Sequence, residues 1–301
     1  MSVQQSMDVP AATAFDVIVV GAGFGGIYAL YRLRSMGLKV RVCEAGSGVG
    51  GTWFWNRYPG ARCDVESMQY SYQFSDELQQ EWDWTEKYAT QPEIMRYANH
   101  VVDRFDLRRD IQLNTRVTAA HFDEAEDRWQ ILTGDGARVS ARFCLMATGC
   151  LSSTNMPHIE GLESFKGPVY HTGEWPHEPV DFTGQRVAII GTGSSAVQSI
   201  PIIAKQAKHL YVFQRTPNYA VPARNAPLAP AVRSAIKADY AGLRRRAMQM
   251  PTGFAFELNR TSALEATPEE RRREYEARWA AGGLPFMGSF GDLLFNNKAN
   301  E

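Results

Sequence analysis

Two short apolar runs of this chain each lead directly into a glycine-rich turn, and no other feature of its 301 residues constrains the fold as strongly. The first run, residues 16–20, precedes Gly21-Ala-Gly23-Phe-Gly-Gly26, after which apolar residues recur at helical spacing. These glycines permit a tight turn, a close approach to a pyrophosphate and packing of helix on strand. A second β-rich run ends in Glu44, which can accept from a ribose hydroxyl. The pattern predicts a βαβ unit that binds a dinucleotide at a helix N-terminus.

A second unit of the same kind occupies residues 186–214. Its apolar run leads into Gly191-Thr192-Gly193-Ser194-Ser195-Ala196, in which alanine takes the place of the third glycine. A predicted helix and a strand at 209–214 come next, and Arg215-Thr216 follow where the first unit has its acid. An arginine at this position favours a 2′-phosphate, so the second unit is predicted to bind NADP in preference to NAD.

Amino-acid composition narrows the classes of protein to which the chain can belong. The apolar content of 44% and charged content of 22% are ordinary for a globular protein, and a net charge of −1 gives no reason to expect a nucleic-acid partner. No apolar run approaches the roughly 18 residues that span a bilayer, so we predict no membrane association. The cysteines form no C-x-x-C pair and lie near no histidine at metal-ligand spacing, which predicts reduced thiols, no metal site and a cytoplasmic location. The oligomeric state is left open.

The pattern along the chain divides it into five predicted parts. They are a flexible tail at 1–14, an FAD-binding domain at 15–150, a linker at 151–184, an NADP-binding domain at 185–217 and a helical insertion at 218–301. A helix is predicted at 90–105, and short strands are predicted over 111–148 with a turn at Gly134-Asp135-Gly136. In the insertion, one helical stretch is predicted at 231–248, and a capping box at Thr267 and Glu270 opens another that ends near residue 281.

Two longer motifs point to a family. The linker contains F-x-G-x-x-x-H-x-x-x-W-P at residues 165–176, between the two glycine-rich turns. Residues 48–64 read GVGGTWFWNRYPGARCD, a glycine- and aromatic-rich stretch after the first βαβ unit. Together they resemble the fingerprint and the flavin-embracing segment of type I Baeyer–Villiger monooxygenases, which are class B flavin-dependent monooxygenases. The resemblance extends over residues 16–297.

This resemblance implies an α/β fold with two Rossmann-like dinucleotide-binding domains, for FAD and NADP(H), and a helical insertion. It implies an oxidoreductase in which NADPH reduces FAD and one oxygen atom of O2 is inserted into a ketone C–C bond, giving an ester or lactone. Resemblance in the insertion alone implies large cyclic or steroid-like ketones as substrates.

The resemblance also assigns residues. Asp64 is expected on the nicotinamide side of the flavin, where it positions an essential arginine, and His171 is expected to position the linker. A purely structural role for His171 is an equal alternative. Gly167 and Gly173 are expected to permit unusual backbone angles, so that the linker acts as a hinge between the cofactors. The residues expected to contact the cofactors are Gly21, Gly23, Gly26, Glu44, Thr52, Trp53, Arg62, Asp64, Tyr70, Val117, Thr192, Gly193, Ser194, Ser195, Gln198, Arg215 and Thr216.

The family pattern continues past the position that matches Glu301. We therefore expect the C-terminal portions of both nucleotide domains, and the catalytic arginine, to be missing, which leaves the activity of the chain alone open. Two alternatives stand beside the main hypothesis. An S- or N-oxygenating flavin monooxygenase would share both nucleotide folds, although Trp175-Pro176 argues against it. A noncatalytic cofactor-binding fragment would account for the absent arginine.

Overall fold

The computed structural model describes residues 13–217 and 219–301. Residues 1–12 of the predicted tail lie outside the described residues. Thr13 and Ala14, which the sequence analysis placed in that tail, instead begin the first strand. They do so because each lies opposite a residue of a parallel neighbour, Thr13 opposite Val139 and Ala14 opposite Ser140.

Strands and helices alternate in the first part of the chain, and the last third is mostly helical. The strands are β1 (Thr13–Val20), β2 (Val40–Cys43), β3 (Ile111–Gln112), β4 (Val117–Asp123), β5 (Arg128–Thr133), β6 (Arg138–Met146), β7 (Arg186–Ile190) and β8 (His209–Phe213). The helices are α1 (Phe24–Ser35), α2 (Thr52–Trp55), α3 (Asp76–Glu81), α4 (Gln91–Arg104), α5 (Ser194–Ala204), α6 (Pro230–Ala238), α7 (Tyr240–Met248), α8 (Pro268–Ala281) and α9 (Asn297–Asn300). Single 3-10 turns lie at Arg108–Asp110, Leu162–Ser164, Thr172–Glu174 and Leu284–Gly288.

The chain divides into two compact units. The first contains Ile94–His177 and the described residues through Arg57, and the second contains Tyr58–Glu93 and the described residues from Glu178 to Glu301. The sequence predicts that residues 58–93 belong to the first nucleotide-binding domain. In the structure they group with the second unit because their hydrogen bonds run to α5 and to the helical insertion.

A six-stranded sheet, in the order β3-β2-β1-β6-β5-β4, forms the centre of the first unit. The strands β3, β2, β1 and β6 run parallel, and β5 and β4 extend the sheet in antiparallel fashion. The turn predicted between β5 and β6 is present, with Gly136 at a φ of 86°. The prediction of a β-rich segment at 111–148 is therefore confirmed.

β1 is buried on both of its faces. Ile18 packs with Phe15, Cys43, Ile131 and Ala141 in one cluster, while Val17 and Val19 are also buried. A parallel strand that is covered on both sides needs a continuous apolar run rather than an alternating one. The run at 16–20 meets this requirement, and it brings the carboxyl end of β1 to the edge of the sheet where the first glycine-rich turn begins.

The second unit contains β7 and β8 as a parallel pair, with α5 between them in the chain. The capping box of α8 is confirmed, because the Thr267 side chain and the Glu270 side chain each accept from the other residue's backbone N–H. The single helical stretch predicted at 231–248 is wrong in one respect. Asp239 breaks it into α6 and α7, since its carboxylate accepts from the N–H of Gly242 and caps α7.

The structure also bears on the cysteines, on metal binding and on membrane spans. The four cysteines are free thiols. Among the described residues, no group of three or more His, Cys, Asp or Glu side chains is arranged to hold a metal ion. Within residues 13–217 and 219–301, no helix has both the length and the apolar character that crossing a membrane requires.

Candidate functional site

The first glycine-rich turn has a geometry that only glycine permits at two positions. Gly21 has a φ of 104°, and a Cβ there would lie 2.6 Å from the carbonyl oxygen of Ala147. A Cβ on Gly26 would lie 1.9 Å from the carbonyl oxygen of Gly21. Gly23 is the N-cap of α1 and has no side chain with which to cap it. The N-terminal amides of α1 therefore lie where a phosphate can accept from them.

Glu44 ties this turn to the end of β2. Its Oε2 accepts from the N–H of Ala22 at 2.6 Å, and its Oε1 accepts from the N–H of Gly46 at 2.7 Å. The residue is buried, with 5% of its surface exposed. Each carboxylate oxygen has a second acceptor position. The predicted contact of Glu44 with a ribose remains a prediction, but its role in fixing the turn is visible in these two hydrogen bonds.

The loop before α2 packs directly on the glycine-rich turn. The N–H of Gly50 donates to the carbonyl of Ala22 at 2.9 Å. Gly51 has a φ of 55°, and a Cβ there would lie 2.7 Å from the Cα of Gly23. Thr52 begins α2, and Trp53 in the same helix is buried. The structure thus brings the predicted contacts at 21–26, 44 and 52–53 together in the first unit.

Val117, another predicted cofactor contact, begins β4 and packs against the Ile18 core cluster. This packing gives Val117 a structural role in the sheet, and its predicted cofactor contact remains a prediction.

Arg57, for which the sequence predicts no role, lies in the first unit beside two aromatic groups. Its guanidinium lies over the Phe54 ring at 4.8 Å, donates to the Phe54 carbonyl and contacts Nδ1 of His177. Burial lowers the pKa of Arg57. Its Nε is buried and lacks a hydrogen-bond partner among the described residues. The only signal in the sequence was a single basic residue within the aromatic stretch 53–58.

The second glycine-rich turn repeats the first at the end of β7. Gly191 has a φ of 102°, and Gly193 is the N-cap of α5 without a capping side chain. The hydroxyl of Thr192 accepts from Gln214 Nε2 at 2.8 Å. Arg215 and Thr216 directly follow Gln214 and are exposed. The carboxyl ends of β7 and β8 are therefore adjacent, and both carry residues predicted to contact NADP.

Asp64 is held by the side chains of that same helix. Its Oδ2 accepts from the Ser194 hydroxyl at 3.3 Å, and its Oδ1 accepts from Gln198 Nε2 at 3.1 Å. Gln198 Oε1 in turn accepts from the hydroxyl of Tyr58 at 3.0 Å and from the N–H of Arg62 at 3.2 Å. Burial, with the nearby Asp64 charge as a smaller cause, raises the pKa of Tyr58 although a hydrogen bond with Ser195 opposes it. These six residues form one hydrogen-bonded cluster in the second unit.

Arg62 and Tyr70, which are also predicted to contact a cofactor, both form hydrogen bonds within the second unit. Arg62 Nη1 forms a salt bridge with Glu86 at 3.1 Å, and Asn225 donates to the same carboxylate. Tyr70 is half-buried, and its N–H donates to the carbonyl of Glu66. Arg62 is therefore committed to an ion pair within its own unit, and its predicted role in cofactor binding remains a prediction.

A cavity of about 240 Å³ lies beside Asp64 in the second unit. Its apolar walls come from Val65, Phe254, Phe256, Leu284 and Pro285. The Tyr88 side chain also lines it, and burial raises the pKa of that phenol to about 12. No pattern in the sequence predicts that these residues line one cavity, because they come from segments that are far apart in the chain.

The linker motif lies mainly on the surface of the first unit. His171 is the N-cap of the turn Thr172–Glu174, and its Nδ1 accepts from the N–H of Gly173 at 3.1 Å. The expectation of unusual backbone angles at Gly167 and Gly173 is wrong, because neither has a positive φ. Space is limited at Gly173 instead, since a Cβ there would lie 2.6 Å from the Cγ2 of Thr154 and that side chain would have to shift.

Glycines with positive φ do lie at the two ends of the linker, at Gly149 just before it and at Gly184 in its last position, each with 72°, and a third lies within it, at Gly161 with 82°. One passage of the chain from the first unit to the second falls between His177 and Glu178, just after the motif ends at Pro176.

Two strand–turn–helix units, in each of which the turn leads into a helix N-terminus without a capping side chain, are typical of the class of proteins that bind two dinucleotides. The model of the family described as pyridine nucleotide-disulphide oxidoreductase matches residues 18–253, and the chain belongs to that family. The chain is also 44% identical to a Baeyer–Villiger monooxygenase of Pseudooceanicola batsensis over 304 aligned residues, which cover 100% of the chain and 56% of that protein. The chain thus spans about half the length of the curated relatives it matches.

Solved structures give the same result. An oxidized steroid monooxygenase bound to NADP matches with a TM-score of 0.92 and 57% identity, covering 96% of this chain and 55% of that one. The OTEMO complex with FAD and NADP matches with a TM-score of 0.91 and 40% identity, covering 96% and 56%. The resemblance to Baeyer–Villiger monooxygenases and the predicted α/β fold class are confirmed by these matches.

Proposed function

We propose that this chain supplies the FAD and NADP(H) sites of a monooxygenase that inserts one oxygen atom of O2 into a ketone C–C bond, giving an ester or lactone. The observation that carries the proposal is the pair of glycine-rich turns, the first fixed by Glu44 and the second followed by Arg215. Similarity to a Baeyer–Villiger monooxygenase and to structures with NADP or FAD supports the same assignment.

The first turn fits FAD. Its backbone leaves no room for a Cβ at Gly21 or Gly26, so α1 sits close against β1, as pyrophosphate binding at a helix N-terminus requires. Glu44 holds Ala22 and Gly46 in place, and its remaining acceptor positions suit ribose hydroxyls. Bound FAD would supply the redox chemistry that no side chain can perform.

The second turn fits NADP(H). The amides that follow Gly193 can donate to the pyrophosphate, and Arg215 can pair with a 2′-phosphate as a charge-assisted donor. Asp64 lies beside the same helix end, hydrogen-bonded to Ser194 and Gln198. In the proposed enzyme Asp64 positions a guanidinium rather than reacting itself, and His171 shapes the linker through its bond with Gly173.

The cavity beside Asp64 supports a ketone as the substrate class. Apolar walls that include Phe254, Phe256 and Leu284 suit a hydrocarbon skeleton, while polar and charged groups of the same lining, Asp64, Glu66, Gln69, Glu257 and Arg278, can orient a carbonyl. A large cyclic or steroid-like ketone is the finer proposal, supported by 57% identity to the steroid monooxygenase structure. A cytoplasmic location stays a prediction that rests on the free cysteines.

The test begins with the absorption spectrum of the purified chain after incubation with FAD and desalting. We expect retained flavin with a band near 450 nm, roughly where oxidised flavin absorbs. A chain that retains no flavin would refute the proposed FAD site.

The rate of NADPH oxidation is then measured in three samples, which contain cyclohexanone, a steroid ketone such as progesterone, or no ketone. The products are analysed for ester or lactone. Ketone-dependent oxygenation supports the full proposal. Retained flavin with oxidation that forms only hydrogen peroxide supports the cofactor sites and places the oxygenating residues outside this chain. Oxygenation of a sulfide or amine in preference to either ketone would contradict the ketone assignment.

A further inference from the structure

Gln198 uses every hydrogen-bonding position of its side-chain amide on one segment of the chain. Its Oε1 accepts from the Tyr58 hydroxyl and the Arg62 N–H, at 3.0 and 3.2 Å. Its Nε2 donates to the Arg62 carbonyl and to Asp64 Oδ1, both at 3.1 Å. A primary amide offers two donors and an acceptor oxygen with two lone pairs, so this side chain is fully committed to residues 58–64. It is then poorly suited to the direct cofactor contact that the sequence analysis predicted for it.

The backbone of the same segment also packs closely against α5. Gly60 has a φ of 81°, and a Cβ there would lie 2.3 Å from the carbonyl oxygen of Gln198. The hydroxyl of Ser194, in the first turn of α5, donates to the other oxygen of Asp64. Residues 58–64 therefore contact α5 over its first turn and a half, and the first turn is also the end at which a dinucleotide phosphate would bind.

We infer that Gln198 is a positioning residue that couples nucleotide binding at the N-terminus of α5 to the order of residues 58–64, and so to the placement of Asp64. This inference rests on the proposed NADP site. A nucleotide that fixes the first turn of α5 also fixes the partner of Ser194, and Gln198 extends the connection to Asp64 and the Arg62 backbone. Coupling of this kind is reciprocal, so an ordered segment must also favour the nucleotide.

A purely structural Gln198 would hold the segment equally well with and without nucleotide. The coupling therefore predicts a response that a structural role lacks. The N–H of Arg62 is the direct reporter, because it donates to Gln198 Oε1. We expect NADP+ to slow hydrogen exchange at this amide by about tenfold in the parent chain, and to have no effect on it when Gln198 is replaced by leucine.

The experiment measures amide exchange over residues 58–65 of the 301-residue chain, with and without NADP+, together with the dissociation constant for NADP+. Gln198→Leu removes all four hydrogen bonds and should weaken NADP+ binding about tenfold. Gln198→Glu keeps the volume and the acceptors but loses both donors. Val197→Ala is the matched control, since Val197 is the exposed neighbour on the same helix. Gly60→Ala perturbs the same contact from the opposite side and should reproduce the loss of coupling.

A double variant that exchanges the amide and the carboxylate between positions 198 and 64 should restore part of the contact. Gln198→Glu places two carboxylates against each other, whereas Gln198→Glu combined with Asp64→Asn restores one donor and one acceptor across the contact. The double variant should recover part of the affinity and of the exchange response that Gln198→Glu loses.

Three results would overturn the inference. One is NADP+ binding without slower exchange at Arg62, the second is a Gln198→Leu chain that behaves like Val197→Ala, and the third is a double variant no better than Gln198→Glu. A parent chain that binds no NADP+ refutes the proposed function. In that case exchange in buffer alone decides the positioning role, because unchanged exchange in Gln198→Leu would refute it as well.

Discussion

The packing of α1 against the first glycine-rich turn makes Gly26→Ala a sharp perturbation. The added Cβ would lie 1.9 Å from the carbonyl oxygen of Gly21 and 3.0 Å from its carbonyl carbon. Backbone atoms cannot rotate away, so α1 must move by more than 1 Å, as roughly judged from normal carbon–oxygen contacts. Overpacking in a well-packed interior costs about 1–3 kcal/mol, and a clash of this depth belongs at the upper end. Alanine is more favourable than glycine in a helix by about 1 kcal/mol, so the free energy of unfolding should fall by about 2 kcal/mol in total.

The adjacent glycine is a matched control for this prediction. A Cβ on Gly25 would meet none of the described residues' heavy atoms within 4 Å, and Gly25 belongs to the same first turn of α1. Gly25→Ala should leave the free energy of unfolding unchanged or raise it by up to about 1 kcal/mol. Urea unfolding measures both variants, and desalting after incubation with FAD measures retained flavin. Equal stability and equal flavin retention in the two variants would refute the packing argument.

Three further predictions concern other parts of the chain. Arg244 donates to the carbonyls of Gln69 and Ser71 and to the side chain of Gln79, so Arg244→Met should destabilise by about 2–3 kcal/mol in urea unfolding. Arg245→Met, at the exposed neighbour, should stay within about 0.5 kcal/mol of the parent, and an equal loss would argue against the role of Arg244. Burial raises the pKa of Cys43 to about 11 and of Cys63 to about 12, so both thiols stay protonated at pH 8 and should react slowly with a disulfide reagent. The exposed Cys150 should supply the fast phase, which Cys150→Ser should remove; a fast phase that persists would contradict this. The hydrogen bond from Lys237 lowers the pKa of Asp83 below its ordinary value of 3.8. The stabilising effect of this pair is therefore complete above pH 3.8 and is lost as the pH falls through the lowered pKa. The stability difference between the parent and Lys237→Met should therefore shrink below about pH 3.8, and a difference that stays constant there would show that the pair does not contribute through this charge.

The parts of the fold that the sequence predicted depend on interactions between near neighbours. Gly21 and Gly26 contact each other within one turn, and the Thr267 side chain caps a helix three residues away. Such requirements leave a fixed spacing in the sequence, which is why the βαβ unit and the start of α8 could be predicted. The break at Asp239 is also local, but the charged, helix-forming residues on both sides of it favour one continuous helix, and nothing in that pattern indicates that Asp239 acts as an N-cap.

The rest depends on contacts between residues far apart in the chain. Gln198 and Asp64 are separated by 134 positions, so no pattern along the sequence could show that one holds the other. The same applies to the cavity walls, where Phe254 and Leu284 come together with Val65. The unusual backbone angles expected at Gly167 and Gly173 were wrong. Glycine is found where φ is positive and also where space is limited, and limited space beside Thr154 is what the structure shows at Gly173.

We propose that this one chain carries two separate nucleotide sites, with FAD at the first turn and NADP at the second. The most direct measurement is titration of the purified chain with FAD and with NADP+, alone and together, for the parent and for Arg215→Ala. We predict one site for each cofactor without competition, and a loss of about tenfold or more in NADP+ affinity in Arg215→Ala, with FAD affinity unchanged. Competition between FAD and NADP+ for a single site, or an Arg215→Ala chain that binds NADP+ as the parent does, would contradict the account.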